Sequence, residues 1–125
     1  MSKASDLVRE LDYKLEKKAY NIALQYNITG PFHRDYNSAI SAFDHFLIEF
    51  PGSMFKEDAM FYKFDSAYKL ATNSVAWKEA ERLEKALNYY NSLLFVFPET
   101  KYSGKLKVMY QDLLEIQNKK TTTKS

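Results

Sequence analysis

YNSAISAFDHFLIEFPGSMF, residues 36–55, and LEKALNYYNSLLFVFPETKY, residues 83–102, are two copies of one pattern set 47 residues apart. Aligned on Pro51 and Pro98, Ala39 falls on Ala86, Phe43 on Tyr90, Phe46 and Leu47 on Leu93 and Leu94, and Phe50 on Phe97. Beyond the prolines, Ser53 and Phe55 fall on Thr100 and Tyr102. Apolar residues at steps of three and four share one helix face. The small alanine lets the helix approach its predecessor, the aromatic four positions on fills the groove, and proline ends the helix before the next one starts. A unit of this kind cannot bury its apolar face alone, so it stacks on copies of itself.

Working outward, the strong breakers Gly30-Pro31, Pro51-Gly52, Pro98 and Gly104 leave long stretches of helical periodicity between them. The spacing predicts about five helices, over 4–28, 35–50, 53–71, 75–97 and 102–118. In the first, Val8, Leu11, Leu15, Ala19, Ile22 and Tyr26 share a face, and Gly30-Pro31 is expected to stop it. In the fourth, Ala76, Ala80, Leu83, Leu87, Tyr90, Leu94 and Phe97 make a narrow seam. Thr72-Asn73-Ser74 offers N-cap side chains to that helix. The polar KKTTTKS stretch, 119–125, reads as a disordered tail behind a single domain over 1–118. The fold class is therefore all-α: two helical hairpins with a C-terminal capping helix.

The composition narrows the function. At 125 residues and a formal charge of +2, with lysines alternating with acids, the chain has no broad field for a polyanion, which argues against nucleic acid as a partner. With no cysteine, disulfides, thiolate metal sites and thiol nucleophiles are excluded. The longest apolar run, Leu93 to Phe97, is far short of a membrane span. Charged residues in MSKASDLVREL stand where a signal peptide needs an apolar core. His45 and Glu49 sit one helical turn apart, but two ligands do not make a metal site, and His33 falls in a loop. No nucleophile motif, phosphate-cradling glycine loop or acid pair occurs, so neither catalysis nor a cofactor is expected.

The order of small residue, aromatic and terminal proline resembles the second helix of the tetratricopeptide repeat, which implies a right-handed superhelix of helical hairpins. Ala19, Ala23 and Tyr26, and then Met60, Phe64, Ala67 and Ala71, resemble the repeat's first helix. The repeat is usually about 34 residues long, so the wider spacing here places inserted residues in the third helix and in Thr72 to Arg82. A closer resemblance covers Leu7 to Asn118. KLEKKAYNIALQY, LATNS and the recurring Phe-Pro-x-Ser/Thr-x-aromatic element are similar to the D component of the bacterial β-barrel assembly machinery, the BamD-like lipoproteins, above all the Bacteroidetes form. The resemblance implies a C-terminal fragment of a non-catalytic scaffold at the periplasmic face of the outer membrane. It also implies docking on the periplasmic domains of the barrel-inserting subunit.

Candidate docking residues follow from the superhelix, whose concave face is lined by the first helix of each pair. They are Lys17, Tyr20, Leu24 and Asn27, with Phe61, Asp65 and Tyr68; Tyr20/Phe61, Leu24/Asp65 and Asn27/Tyr68 share one 41-residue separation. Leu24, Phe61 and Tyr68 equally suit packing between repeats. Trp77, beside Lys78 and Arg82 in the inserted segment, suits a partner anchor or packing over the third helix. A general peptide-gripping or cochaperone-like module is the alternative function. An uncovered apolar face at the open end of the array predicts self-association through the first helix.

Overall fold

The computed structural model describes residues 2–33, 36–72 and 76–123. Among the described residues the chain forms five α-helices and no strand: α1 (Ser2–His33), α2 (Tyr36–Glu49), α3 (Lys56–Thr72), α4 (Ala76–Val96) and α5 (Ser103–Thr123). Successive helices pack against each other, and the odd helices α1, α3 and α5 also touch in that order. This is a stack of tetratricopeptide-like hairpins, α1/α2 and α3/α4, closed by α5.

Two cores follow from the repeat. Tyr20, Ala23, Ala39, Phe43, Phe46 and Ala59 form the first, between α1, α2 and α3. Phe61, Phe64, Leu83, Ala86, Leu93, Leu106 and Leu113 are among the residues of the second, between α3, α4 and α5. Ala39 and Ala86 are both fully buried, as the close approach of neighbouring helices requires. Tyr62 packs on both cores and joins them.

Several boundaries differ from the sequence expectations. α1 runs through Gly30-Pro31 to His33. Proline in a helix removes one ladder bond and crowds the preceding turn, and here the helix ends two residues beyond it. α3 begins at Lys56, because residues 50–55 form a turn of their own. α5 continues to Thr123 where a disordered stretch was expected from 119, each added residue contributing one ladder bond to a helix already formed. The expected capping residues Asn73 and Ser74 lie outside the described residues.

Two helix faces also depart from the expected ones. In α4 Leu83 of the expected seam is buried, but the other buried residues, Ala86 and Leu93, each stand one position before a seam residue, with Leu87, Tyr90, Leu94 and Phe97 only partly buried and Ala80 exposed. In α1 the inward residues are Tyr20, Ala23 and Asn27, while Leu11 at 59%, Leu15 at 57%, Ile22 at 49% and Tyr26 at 44% face outward. The more apolar stripe of α1 is therefore not its core face.

Candidate protein-docking site

The surface available to a partner is set by how the hairpins are joined, and the join is built from the Phe-Pro element. After α2, Phe50 N–H donates to Phe46 O at 2.9 Å, Ser53 N–H to Phe50 O at 3.1 Å, and Ala59 N–H to Phe55 O at 2.8 Å. After α4 the same ladder recurs: Phe97 N–H to Leu93 O at 2.8 Å, Thr100 N–H to Phe97 O at 3.2 Å, and Leu106 N–H to Tyr102 O at 2.9 Å. In each turn the hydroxyl accepts the N–H two residues on, Phe55 to Ser53 at 3.0 Å and Tyr102 to Thr100 at 3.3 Å. The serine and threonine thus set the start of the following helix, in the manner of a capping side chain.

The same hydroxyls reach back to the preceding odd helix. Ser53 Oγ donates to Glu16 Oε2 at 3.1 Å, and Thr100 Oγ1 to Glu57 Oε2 at 2.6 Å. Glu16 and Glu57 are 41 residues apart. One turn further along each helix, Tyr20 stacks on Phe55 with ring centroids at 5.0 Å, and Phe61 stacks on Tyr102 at 3.9 Å. At the far end of the pair, Asn27 Nδ2 donates to Asp65 Oδ2 at 3.0 Å and to the buried Ser66 hydroxyl at 2.8 Å, while Tyr68 OH donates to Asp112 Oδ2 at 2.7 Å. Each odd helix is therefore tied to the next by a carboxylate and an aromatic at one end and by a polar donor to an aspartate at the other.

This arrangement corrects the reading of Tyr20, Asn27 and Phe61 as outward docking residues. All three are buried, at 8%, 3% and 3% exposure, because each faces the following repeat. The 41-residue correspondence holds; what it marks is the seam between repeats. Asp65 is mostly covered, accepting from Asn27 and pairing with Lys69 at 2.9 Å, and Tyr68 is half-buried. Lys17 is exposed and Leu24 partly so. Arg82 is half-buried and borders a cleft of about 200 Å³ with Ile40, Leu70, Lys85 and Tyr89. The side chains of Trp77, Lys78 and His33 lie outside the described ones.

The opposite side of the stack has its own tie, missed in the sequence. Lys63 of α3 pairs with Asp44 of α2 and lies 4.1 Å from the ring centroid of Tyr89 on α4, so a single ammonium bridges both even helices. Ile48 and Phe95, 47 residues apart at the ends of α2 and α4, stand exposed beside the two turns.

The titratable groups behave as parts of these joints. Burial and the neighbouring Asp58 charge raise the Tyr20 phenol above its ordinary value, and burial with the hydrogen bond to Asp58 raises Tyr102. Burial, then the bond to Asp112, pushes Tyr68 up to about 12. The bond to Asp58 raises the Lys101 ammonium. All four stay in their neutral-pH forms. Among the described residues no three metal-ligating side chains come together, and no helix is long and apolar enough to cross a membrane.

A stack of latched helical hairpins of this kind belongs to the class of helical-repeat proteins. The family model described as YfiO, outer membrane lipoprotein, matches residues 5–120, and the chain belongs to that family. No curated protein matches it significantly. The match spans both Phe-Pro elements and agrees with the BamD-like resemblance carried by the same residues.

Proposed function

We propose that the chain is a non-catalytic docking scaffold of the outer-membrane β-barrel assembly machinery, acting at the periplasmic face of that membrane by binding the periplasmic domains of the barrel-inserting subunit. The observation that carries this reading is the family membership over residues 5–120, a family of non-enzymatic assembly lipoproteins. The latched seam supports it: a docking platform works best when its surface is ordered before the partner arrives, since ordering it on binding costs affinity. Lys17 and Leu24 on α1, Asp65 and Tyr68 on α3, and Arg82 and Trp77 on α4 are the docking residues of this proposal.

Titration of the folded chain with the periplasmic domains of the barrel-inserting subunit tests it. Saturable binding at micromolar concentration that weakens in Leu24→Glu and Lys17→Glu, with helicity kept, is the expected result. A folded chain that fails to bind at those concentrations overturns the reading.

A further inference from the structure

The latch residues recur along the chain, and where they stop recurring is informative. α3 and α5 present Asp65 and Asp112 to the odd helix before them; at the corresponding place α1 has Leu24. α3 and α5 each follow a Phe-Pro turn; α1 is continuous helix through the corresponding positions. The outer face of α1 is thus not fitted to receive another latched hairpin of this kind. It carries instead Leu11, Leu15, Ile22 and Tyr26, all exposed, in an eleven-residue recurrence of paired apolar positions. That period keeps the stripe nearly straight along the helix, over about 22 Å at 1.5 Å per residue.

Beside this stripe runs a groove of about 450 Å³ lined by Lys14, Lys17, Lys18, Asn21, Ile22 and Gln25. Three ammonium groups line it and no carboxylate does. Lys14 also pairs with Glu10, at 3.8 Å and highly exposed on both sides, which holds its charge only weakly. The other margin of the stripe carries Asp12 and the partly buried Ala19. An apolar track with cations along one edge only complements a helix with its own apolar track and an acidic edge.

We infer that the exposed face of α1, with Leu11, Leu15 and Ile22 bordered by Lys14 and Lys18, docks an amphipathic protein helix whose apolar stripe is flanked by Asp and Glu. This site meets the proposed docking surface at Lys17, which lines the groove as well, but its apolar stripe of Leu11, Leu15 and Ile22 lies outside that surface and does not depend on it. A second copy of the chain fits less well. An antiparallel pairing of two α1 helices sets the lysine margin against itself, and a parallel one offers it mainly Asp12, Glu16 being engaged by Ser53. An anionic bilayer fits less well because Asp12 borders the apolar stripe on the far side.

The test is a fluorescence titration of the whole chain with two synthetic amphipathic helices that share a leucine stripe and differ in margin, one glutamate and one lysine. The acidic helix is expected to bind at least about tenfold tighter, since like charges across an interface are penalised. K14E/K18E should reverse the preference, and Ile22→Lys should abolish binding of both with helicity unchanged. Equal affinity for the two helices, no binding of either, or indifference to K14E/K18E overturns the inference. So does sedimentation showing that a dimer occupies this face, or binding confined to phosphatidylglycerol vesicles. Ile22→Lys leaves Lys17, Leu24, Asp65 and Tyr68 untouched, so loss of helix binding in that variant with retained binding of the barrel-inserting subunit separates the two sites.

Discussion

The two joints of the stack, α1 to α3 and α3 to α5, share one plan and differ in finish. At the first, Glu16 receives only the Ser53 hydroxyl, and the positions that could add a second clasp hold Lys17 and the exposed Met54. At the second, Glu57 accepts both the Thr100 hydroxyl and the Lys101 N–H, the latter at 3.1 Å. Asp58 there receives the Tyr102 hydroxyl and pairs with Lys101 at 2.8 Å. The extra bonds fall where α5 contacts its neighbours more sparsely than the other consecutive helices contact theirs. Polar clasps thus add to the hold on the helix that packs most sparsely on its chain neighbour. Hairpins built on one pattern need not be equally fixed.

Removing the aromatic at the centre of the second joint should have the largest effect. Phe61 is buried and stacks on Tyr102, so Phe61→Ala should cost about 3–5 kcal/mol, the range for truncating a buried aromatic. Chemical denaturation measures the loss, and hydrogen exchange should show the α5 amides exposed before those of α2. Uniform exchange across both hairpins would mean that the joint is not the weak point.

The carboxylates come next. Glu57→Ala leaves the buried Thr100 hydroxyl and the Lys101 N–H without their acceptor, and should cost about 1.5–3 kcal/mol, the scale for a bond to a charged group. Glu16→Ala breaks one longer bond on a more open helix and should cost less, about 0.5–1.5 kcal/mol. Equal losses would remove the distinction between the joints.

Alkali should weaken both joints, since the buried Tyr20 phenol at the first is raised too, but only the second loses phenol–aspartate bonds. Two phenols donate to aspartates at the second joint, Tyr68 to Asp112 and Tyr102 to Asp58, whereas Asn27 and Phe55, which do not titrate, hold the matching places at the first. A phenol held protonated in the folded chain contributes stability that is fully present below its unfolded value, about pH 10. The contribution is lost as pH rises, through about 12 for Tyr68. Circular dichroism between those limits should show stability falling with pH, and Tyr68→Phe, less stable at neutral pH, should flatten the fall. An unchanged slope in that variant would place the titration elsewhere.

How much of this was legible depends on which physical signal carried it. The pattern Ala39, Phe43, Phe46 and its copy Ala86, Tyr90, Leu93 declared the hairpins, because core packing imposes a helical period on residue size. Glu16 and Glu57 looked like ordinary surface charge, since nothing local tells a carboxylate facing water from one facing a hydroxyl 37 residues away in the chain. Their separation matched that of Tyr20 and Phe61, which the sequence did display, so the signal lay in reading the carboxylates on the same offset. α1 misled for a different reason: it has two faces with apolar content. The richer stripe, Leu11 to Tyr26, faces out, while the inner face closes with Tyr20, Ala23 and the hydrogen-bonded Asn27.

The smallest effect is the most direct check on the difference between the joints, because it asks whether the finish of one can be moved to the other. Met54 and Lys17 correspond to Lys101 and Asp58. M54K/K17D would therefore recreate at the first joint the ion pair of the second, on side chains as exposed as Lys101, which is 60% accessible. Pairs of this exposure contribute about 0.2–1 kcal/mol and weaken with salt. Their geometry here also depends on Phe55, which lacks the hydroxyl that Tyr102 offers to Asp58. The double variant should gain a few tenths of a kcal/mol, with M54K/K17D/F55Y gaining more than the sum of its parts. A double-mutant cycle at low and high salt reads the coupling. If Phe55→Tyr adds nothing in the M54K/K17D background, the tyrosine and the ion pair act independently at Asp58, and the second joint is simply the sum of its bonds.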